Sequence, residues 1–250
     1  MNRAQRERYS RQLPIPMVGE AGQRKLNHAT ALVVGCGGLG SALLYALAGA
    51  GVGRLRFADG DTVALSNLNR QFLHGVDDIG KNKALSAYEK IARFNPDIQL
   101  EPCQGYVNEE NAPALIQGCD IVMLAVDSRA SRRTLNRALV AGGIPFVDGG
   151  VNGLSGTVMA VLPRQTPCLE CLHGGPRNRA DAAPAIASVV TAVSALEAQL
   201  GLLLLLGQPN PLENALLLFD GAKLTLETIP LRRNPGCPVC GQGAADSHSS

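Results

Sequence analysis

The feature that most restricts this chain is the run Gly35-Cys36-Gly37-Gly38-Leu39-Gly40. It sits between a short apolar stretch, Thr30-Ala31-Leu32-Val33-Val34, and a segment of helix-forming residues from Ser41 to Ala50. A second apolar run, Arg54-Leu55-Arg56-Phe57-Ala58-Asp59, follows, so the spacing predicts a βαβ unit. The glycine run fits G-x-G-x-x-G, and Asp59 stands nineteen residues beyond its last glycine. Gly35, Gly37, Gly38 and Gly40 allow a tight turn and close backbone approach. The helix N-terminus offers unpaired N–H groups and positive dipole to phosphate, and a carboxylate at Asp59 can accept ribose hydroxyls. A glycine turn without a ligand is the plainer alternative. The loop alone does not choose between NAD and ATP, since both carry a ribose diol and phosphates.

Farther along, Lys83 to Phe94 has helical character and stops at Asn95-Pro96, Ile98 to Val107 looks extended, and Asp120 to Val126 is nearly continuous apolar sequence. Such a run suits a parallel strand buried on both faces. After Ile144-Pro145-Phe146-Val147-Asp148 come strand-like segments at Gly156 to Leu162, Ala215 to Phe219 and Lys223 to Thr228. The predicted class is therefore α/β: a Rossmann-like doubly wound mixed sheet, parallel in its N-terminal half and extended by antiparallel strands. Residues 1–28 are polar and arginine-rich, with a break at Leu13-Pro14-Ile15-Pro16, and are expected to form a helical arm that leaves the main body. Gly174 to Asp181 reads as an exposed, mobile loop and residues 244–250 as a disordered tail.

Composition narrows the function. At 250 residues, 46% hydrophobic and 18% charged, the chain is neither disordered, collagen-like nor coiled coil. A net charge of +2 lacks the basic excess of a non-specific nucleic-acid binder. Ile186 to Leu206 is apolar and ends in five leucines, but Ser188, Thr191, Ser194, Glu197 and Gln199 interrupt it, so a buried helix is expected rather than a membrane span. The first residues carry charge with no apolar core after it, which points to a cytoplasmic protein.

The loop after the second strand, Asp59-Gly60-Asp61 through Asn67-Leu68-Asn69-Arg70-Gln71, gathers carboxylates, an amide and a guanidinium, and Lys83 opens the next helix. Hydride transfer has no need of so many donors. A triphosphate does, because Arg binds phosphate oxygens as a planar fork and Lys as a point charge. Asp127, at the end of the apolar strand 120 to 126, suits Mg²⁺. Taken singly, Arg70 and Lys83 could be surface charges and Asp127 a helix N-cap before Ser128 to Val140. Of seven cysteines, Cys168/Cys171 and Cys237/Cys240 form two Cys-x-x-Cys pairs, a metal arrangement before a disulfide one. Two such knuckles on one ion make a closed Cys₄ zinc site. The alternative is two unlinked thiol pairs, and Cys36, Cys103 and Cys119 read as small buried hydrophobes.

With these motifs in order, and with Arg8-Tyr9-Ser10-Arg11-Gln12 near the start, the sequence resembles the adenylating enzymes related to ubiquitin-activating enzymes, specifically the MoeB/ThiF/HesA group. The resemblance spans about residues 6 to 241. It implies one adenylation domain over residues 29–243, in which the C-terminal carboxylate of a ubiquitin-like sulfur carrier ending in Gly-Gly attacks the α-phosphate of ATP and releases pyrophosphate. Carried over by position, Asp59 binds the ribose, Asn67, Arg70 and Lys83 contact phosphates, and Asp61 completes the Asp-x-Asp motif of the nucleotide site. Asp127 holds Mg²⁺, the four paired cysteines hold Zn²⁺, and Arg11 reaches the other subunit's site in a homodimer.

One departure matters. Many relatives carry a cysteine before the long helix, where this chain reads Arg179-Ala180-Asp181-Ala182-Ala183-Pro184-Ala185-Ile186, and none lies between Cys171 and Cys237. Adenylation without thioester transfer is therefore expected. With no rhodanese-like segment after residue 241, sulfur would come from a separate donor. The competing readings are an NAD-dependent oxidoreductase, a non-catalytic carrier-binding scaffold, and adenylation of a small molecule, peptide or tRNA-bound carboxylate.

Overall fold

A computed structural model describes residues 1–173 and 183–241. The chain begins with α1 (Arg3–Arg8), α2 (Gly19–His28), β1 (Thr30–Val34), α3 (Gly38–Ala50), β2 (Arg54–Asp59), α4 (Lys83–Phe94), β3 (Gln99–Gln104) and α5 (Ala112–Ile116). It continues through β4 (Ile121–Leu124), α6 (Arg129–Gly142), β5 (Phe146–Asn152), β6 (Ser155–Val161), α7 (Leu169–His173), α8 (Ala187–Leu205), β7 (Ala215–Asp220) and β8 (Thr225–Pro230). The eight strands form one sheet in the order β3-β2-β1-β4-β5-β6-β7-β8. From β3 to β5 all neighbours are parallel, and from β5 to β8 all are antiparallel. This is the mixed sheet expected from the sequence.

The central strands show why their sequences are apolar throughout. All five residues of β1 are buried. Ala31 and Val33 join the core under α3, α4 and α8, while Leu32 and Val34 join the core on the opposite face. In β4, Ile121 and Met123 serve the first face and Val122 and Leu124 the second. Residues on alternating sides of a covered strand must both be apolar, which erases the period-two signature. The strand order reverses between β1 and β4, and ligands of such sheets bind in the crevice beyond the strand ends there.

The apolar segment Ile186 to Leu206 becomes α8. Its length and hydropathy would suffice to cross a membrane. Instead Val189, Val190, Val193, Ala198 and Leu200 are buried in the core. Ser194 Oγ donates to Leu39 O on α3 at 3.0 Å, and a Cβ at Gly201 would stand 2.9 Å from Met123, so α8 lies close against both α3 and β4.

Some sequence expectations change. Residues 1–28 do not leave the main body: Tyr9 is 2% exposed, accepts a 3.2 Å hydrogen bond from Asn95 Nδ2, and lies where a Cβ on Gly51 would clash at 2.6 Å. Gln23 Nε2 donates to Ala50 O at 3.0 Å, and Leu26 is in the core. Leu26 packs into the core and Tyr9 is buried against Gly51 just past α3, and that burial outweighs the segment's polar composition. The helix expected from Ser41 starts at Gly38, and the strand expected over Ile98 to Val107 ends at Gln104, because Gly105 with φ +148 turns the chain. The loop Gly174 to Asp181 and the tail 244–250 lie outside the described residues.

Candidate functional site

The glycine turn leaves β1 at the reversal of strand order and is built too tightly for side chains. Gly35 has φ +97, and a Cβ there would stand 2.5 Å from Ala125 O, beyond the end of β4. A Cβ on Gly40 would stand 1.8 Å from Gly35 O. The two bare positions let the turn close on itself and on the β4 end. Gly37 occupies the N-cap of α3 and supplies no side-chain cap, so the leading N–H groups of α3 keep their capacity for an anion.

Asp59, the last residue of β2, faces this turn. Its Oδ2 accepts from Cys36 N at 2.7 Å and its Oδ1 from Asp61 N at 2.8 Å. Burial pushes its carboxyl above the ordinary range, opposed by those two hydrogen bonds. The next carboxylate, Asp61, accepts from Lys83 Nζ at 2.9 Å and from the Tyr106 hydroxyl. Although burial acts to raise it, these donors hold the Asp61 carboxyl below its ordinary value. Asn82 caps α4, accepting from Ala84 N at 3.0 Å, and its Nδ2 donates to Asp59 O and Asp61 O. That link sets the buried Lys83 beside the β2 end. Asn67 Oδ1 accepts from Ala64 N at 3.1 Å within its own loop. The stem of Arg70 passes Gly38, and its Nη1 donates to Ser66 O at 3.0 Å and Asn69 Oδ1 at 2.9 Å.

Asp127 lies exposed three residues past the end of β4. It is not the N-cap of α6: Ser128 takes that role, its Oγ accepting from Ser131 N at 3.0 Å. Arg132 on α6 fixes the segment before Asp127. Its Nη2 donates to Val126 O at 2.7 Å and Gly149 O at 2.8 Å, and its Nη1 pairs with Asp148. Even with that partner, burial pushes Asp148 up to about 6. Arg11 is exposed and two residues from Tyr9, which docks at Gly51. A helix of thirteen residues such as α3 is about 20 Å long, so Arg11 lies at the far end of α3 from the glycine turn of its own chain.

Two residues that the sequence did not single out complete the turn. His74 is buried, with Nε2 2.8 Å from Cys36 O and Nδ1 2.8 Å from Ser86 Oγ. A carbonyl only accepts, so Nε2 carries the proton and Nδ1 accepts from the Ser86 hydroxyl. Gln71 is also buried beside Gly37, and among the described residues its Oε1 has no partner. Both stand in the loop after β2, where the motif order drew attention to Asn67 and Arg70 instead.

At the other end of the antiparallel half, Cys168, Cys171, Cys237 and Cys240 come together with all four Sγ atoms within 4.8 Å of one another. Cys168 and Cys237 are 3.7 Å apart, and Cys171 and Cys240 3.4 Å. Four thiolates about 2.3 Å from a tetrahedral zinc ion stand about 3.8 Å apart, whereas a disulfide would need about 2 Å. Asn136 supports the cluster, donating to Cys168 Sγ at 3.7 Å and accepting from Leu169 N at 3.1 Å. The donor set thus fits zinc. The donors at the crevice, an uncapped helix N-terminus and a buried ammonium beside the Asp59 carboxylate, fit a nucleoside triphosphate.

The chain is 36% identical over 252 residues to the SAMP-activating enzyme E1 of Haloferax volcanii, covering 99% of this chain and 93% of that protein. It is also 36% identical to the sulfur carrier protein ThiS adenylyltransferase of Escherichia coli, covering 96% of each. In fold it is similar to Escherichia coli MccB crystallised with ATP, with a TM-score of 0.81, 24% identity, and coverage of 93% of this chain and 74% of that one. The ThiF family profile matches residues 9–239, and the chain belongs to the ThiF family.

Proposed function

We propose that this chain is an ATP-dependent adenylyltransferase acting on the C-terminal glycine carboxylate of a ubiquitin-like sulfur-carrier protein. The observation that carries the reading is the convergence of the uncapped α3 N-terminus, Asp59 and the buried Lys83 ammonium on one crevice at the reversal of strand order. The activity named for the Escherichia coli relative supports it. A carboxylate oxygen of the carrier bonds to the α-phosphorus, the bond from that phosphorus to the bridging oxygen breaks, and pyrophosphate leaves. Asp59 orients the ribose, the glycine turn and Asn67 donate hydrogen bonds to the phosphates, and Arg70 and Lys83 neutralise their charge. Such a reaction is driven by positioning and charge stabilisation more than by a covalent catalyst. Asp127 would hold Mg²⁺, which when bound supplies further neutralisation of triphosphate charge.

In the same reading, residues 29–243 are one adenylation domain, and residues 1–28 bring Arg11 to the site of a second copy. The exposed apolar side chains Ile15, Met17, Phe72, Val76 and Ile79 support a homodimer. The four clustered cysteines hold a structural zinc ion. With no cysteine between Cys171 and Cys237, a separate sulfur donor attacks the adenylate.

ATP–pyrophosphate exchange tests the reading. Exchange should depend on a Gly-Gly-ended carrier and fall about 10²–10³-fold in Arg70→Ala or Asp127→Ala. Mixing the inactive Arg11→Ala and Asp127→Ala proteins should restore exchange by forming mixed dimers with one intact site. Exchange that proceeds with peptide or small carboxylates and with no carrier would sink the carrier assignment.

A further inference from the structure

Lys83 is buried, with its side chain only 8% exposed, yet its carboxylate partner Asp61 is 46% exposed. A half-exposed aspartate is a poor anchor for a buried ammonium, because its side chain can turn into water at little cost. Tyr106 steadies it: the residue is 69% exposed, but its ring is seated on Gly60 and its backbone is tied by Asn111. The Tyr106 hydroxyl donates to Asp61 Oδ1, leaving Oδ2 to Lys83. Tyr106 belongs to the segment just after β3, and three contacts fix its place. Gly105 N donates to Asp59 O at 3.1 Å, Asn111 Nδ2 donates to Tyr106 O at 2.9 Å, and the ring lies so close to Gly60 that a Cβ there would stand 2.6 Å from it. Gly60 is thus bare for the sake of an aromatic ring forty-six positions later in the chain. The Asp61 carboxylate raises the Tyr106 phenol's pKa, so the phenol stays a donor.

We propose that Tyr106 is a positioning residue for the nucleotide site: by locking Asp61 it aims the Lys83 ammonium into the crevice. An ammonium has three donors, so Lys83 can keep Asp61 while offering another to a phosphate. Asp61 then acts by orienting Lys83 rather than by touching the nucleotide. This rests on the adenylation reading above for the identity of the ligand, but the lock itself is a property of the chain and is testable without ATP.

Tyr106→Phe keeps the ring on Gly60 and removes only the hydroxyl. It should raise KM for ATP in pyrophosphate exchange about three- to tenfold, with a smaller effect on kcat. In an Asp61→Asn background the same change should have no further effect, because the phenol works through that carboxylate. Independently of turnover, labelling of Lys83 by an amine-acylating reagent, followed by mass spectrometry without nucleotide, should be several-fold faster in Tyr106→Phe than in the unaltered protein. Unchanged labelling and unchanged KM would overturn the lock while leaving adenylation intact. Additive effects of the two substitutions would overturn it as well, showing that the hydroxyl acts independently of Asp61. Faster labelling in a protein that shows no exchange would instead overturn the adenylation reading and leave the lock standing.

Discussion

The imidazole of His74 ties the carbonyl of Cys36, inside the glycine turn, to Ser86 on α4. Burial lowers its pKa from 6.5, so it is held neutral. As pH falls, the unfolded chain therefore takes up this proton first. The stabilisation is full above about 6.5 and is lost as pH drops toward the lowered value. In urea denaturation from pH 7.5 to 5.5, the protein should lose stability relative to His74→Gln as pH falls. His74→Leu, which strands the Cys36 carbonyl, should cost about 1–3 kcal/mol at pH 7.5. A stability difference between the Gln variant and the unaltered protein that does not move with pH would refute this role. Little of it was legible beforehand: Gln71-Phe72-Leu73-His74 is an ordinary mixture, and a lone histidine carries no sign of which carbonyl it will meet. The glycines and Asp59 were legible because their demands are local, namely a bare turn and a carboxylate at a strand end.

Among the elements, α8 carries the sharpest conflict between composition and environment. Glu197 is fully buried, neither carboxylate oxygen has a partner among the described residues, and a Cβ on Gly149 would stand 2.0 Å from Oε2. Burial, then the nearby Asp148, drive its pKa well above 4.5, with Arg132 opposing. The folded chain thus keeps a proton that the unfolded chain releases, and stability falls as pH rises above 4.5 toward the raised value. Glu197→Gln should remove that slope, so its advantage over the unaltered protein should grow with pH by up to about 1.4 kcal/mol per unit. Chemical denaturation at pH 6, 7 and 8 reads this directly, and a constant difference would mean that Glu197 is ionised with a partner. From sequence, Glu197 argued for a buried helix, and α8 does pack in the core. That it faces Gly149 depends on how α8 crosses β5, which helical periodicity leaves open.

For the whole molecule, the cysteine cluster joins α7 to the segment after β8, across the antiparallel half of the sheet. β8 is exposed along its length, so little apolar burial holds this edge. Zinc bridging the two cysteine pairs would close that end of the fold. Chelation with verified metal removal should lower the melting temperature by roughly 10 °C, since a chain of this size loses about 2–4 °C per kcal/mol. ATP should still protect the stripped protein, because the crevice lies at the β1–β4 reversal rather than at the cysteines. An unchanged melt after metal loss would remove the structural ion.

By itself the sequence determined most of the strands and the longer helices, the parallel half, the glycine turn with Asp59, and the Cys-x-x-Cys pairs, but not the short helices α5 and α7. Each of these is written in neighbouring residues through period, turn chemistry or ligand spacing. Tertiary structure decided the docking of residues 1–28 against α3, the neutral state of His74, the stranded carboxyl of Glu197, and the Tyr106–Asp61–Lys83 chain. Those depend on which surfaces meet when α8 and the β3 end pack onto the sheet. Hydrogen bonds between residues 22 to 45 positions apart follow from that packing, not from any local pattern.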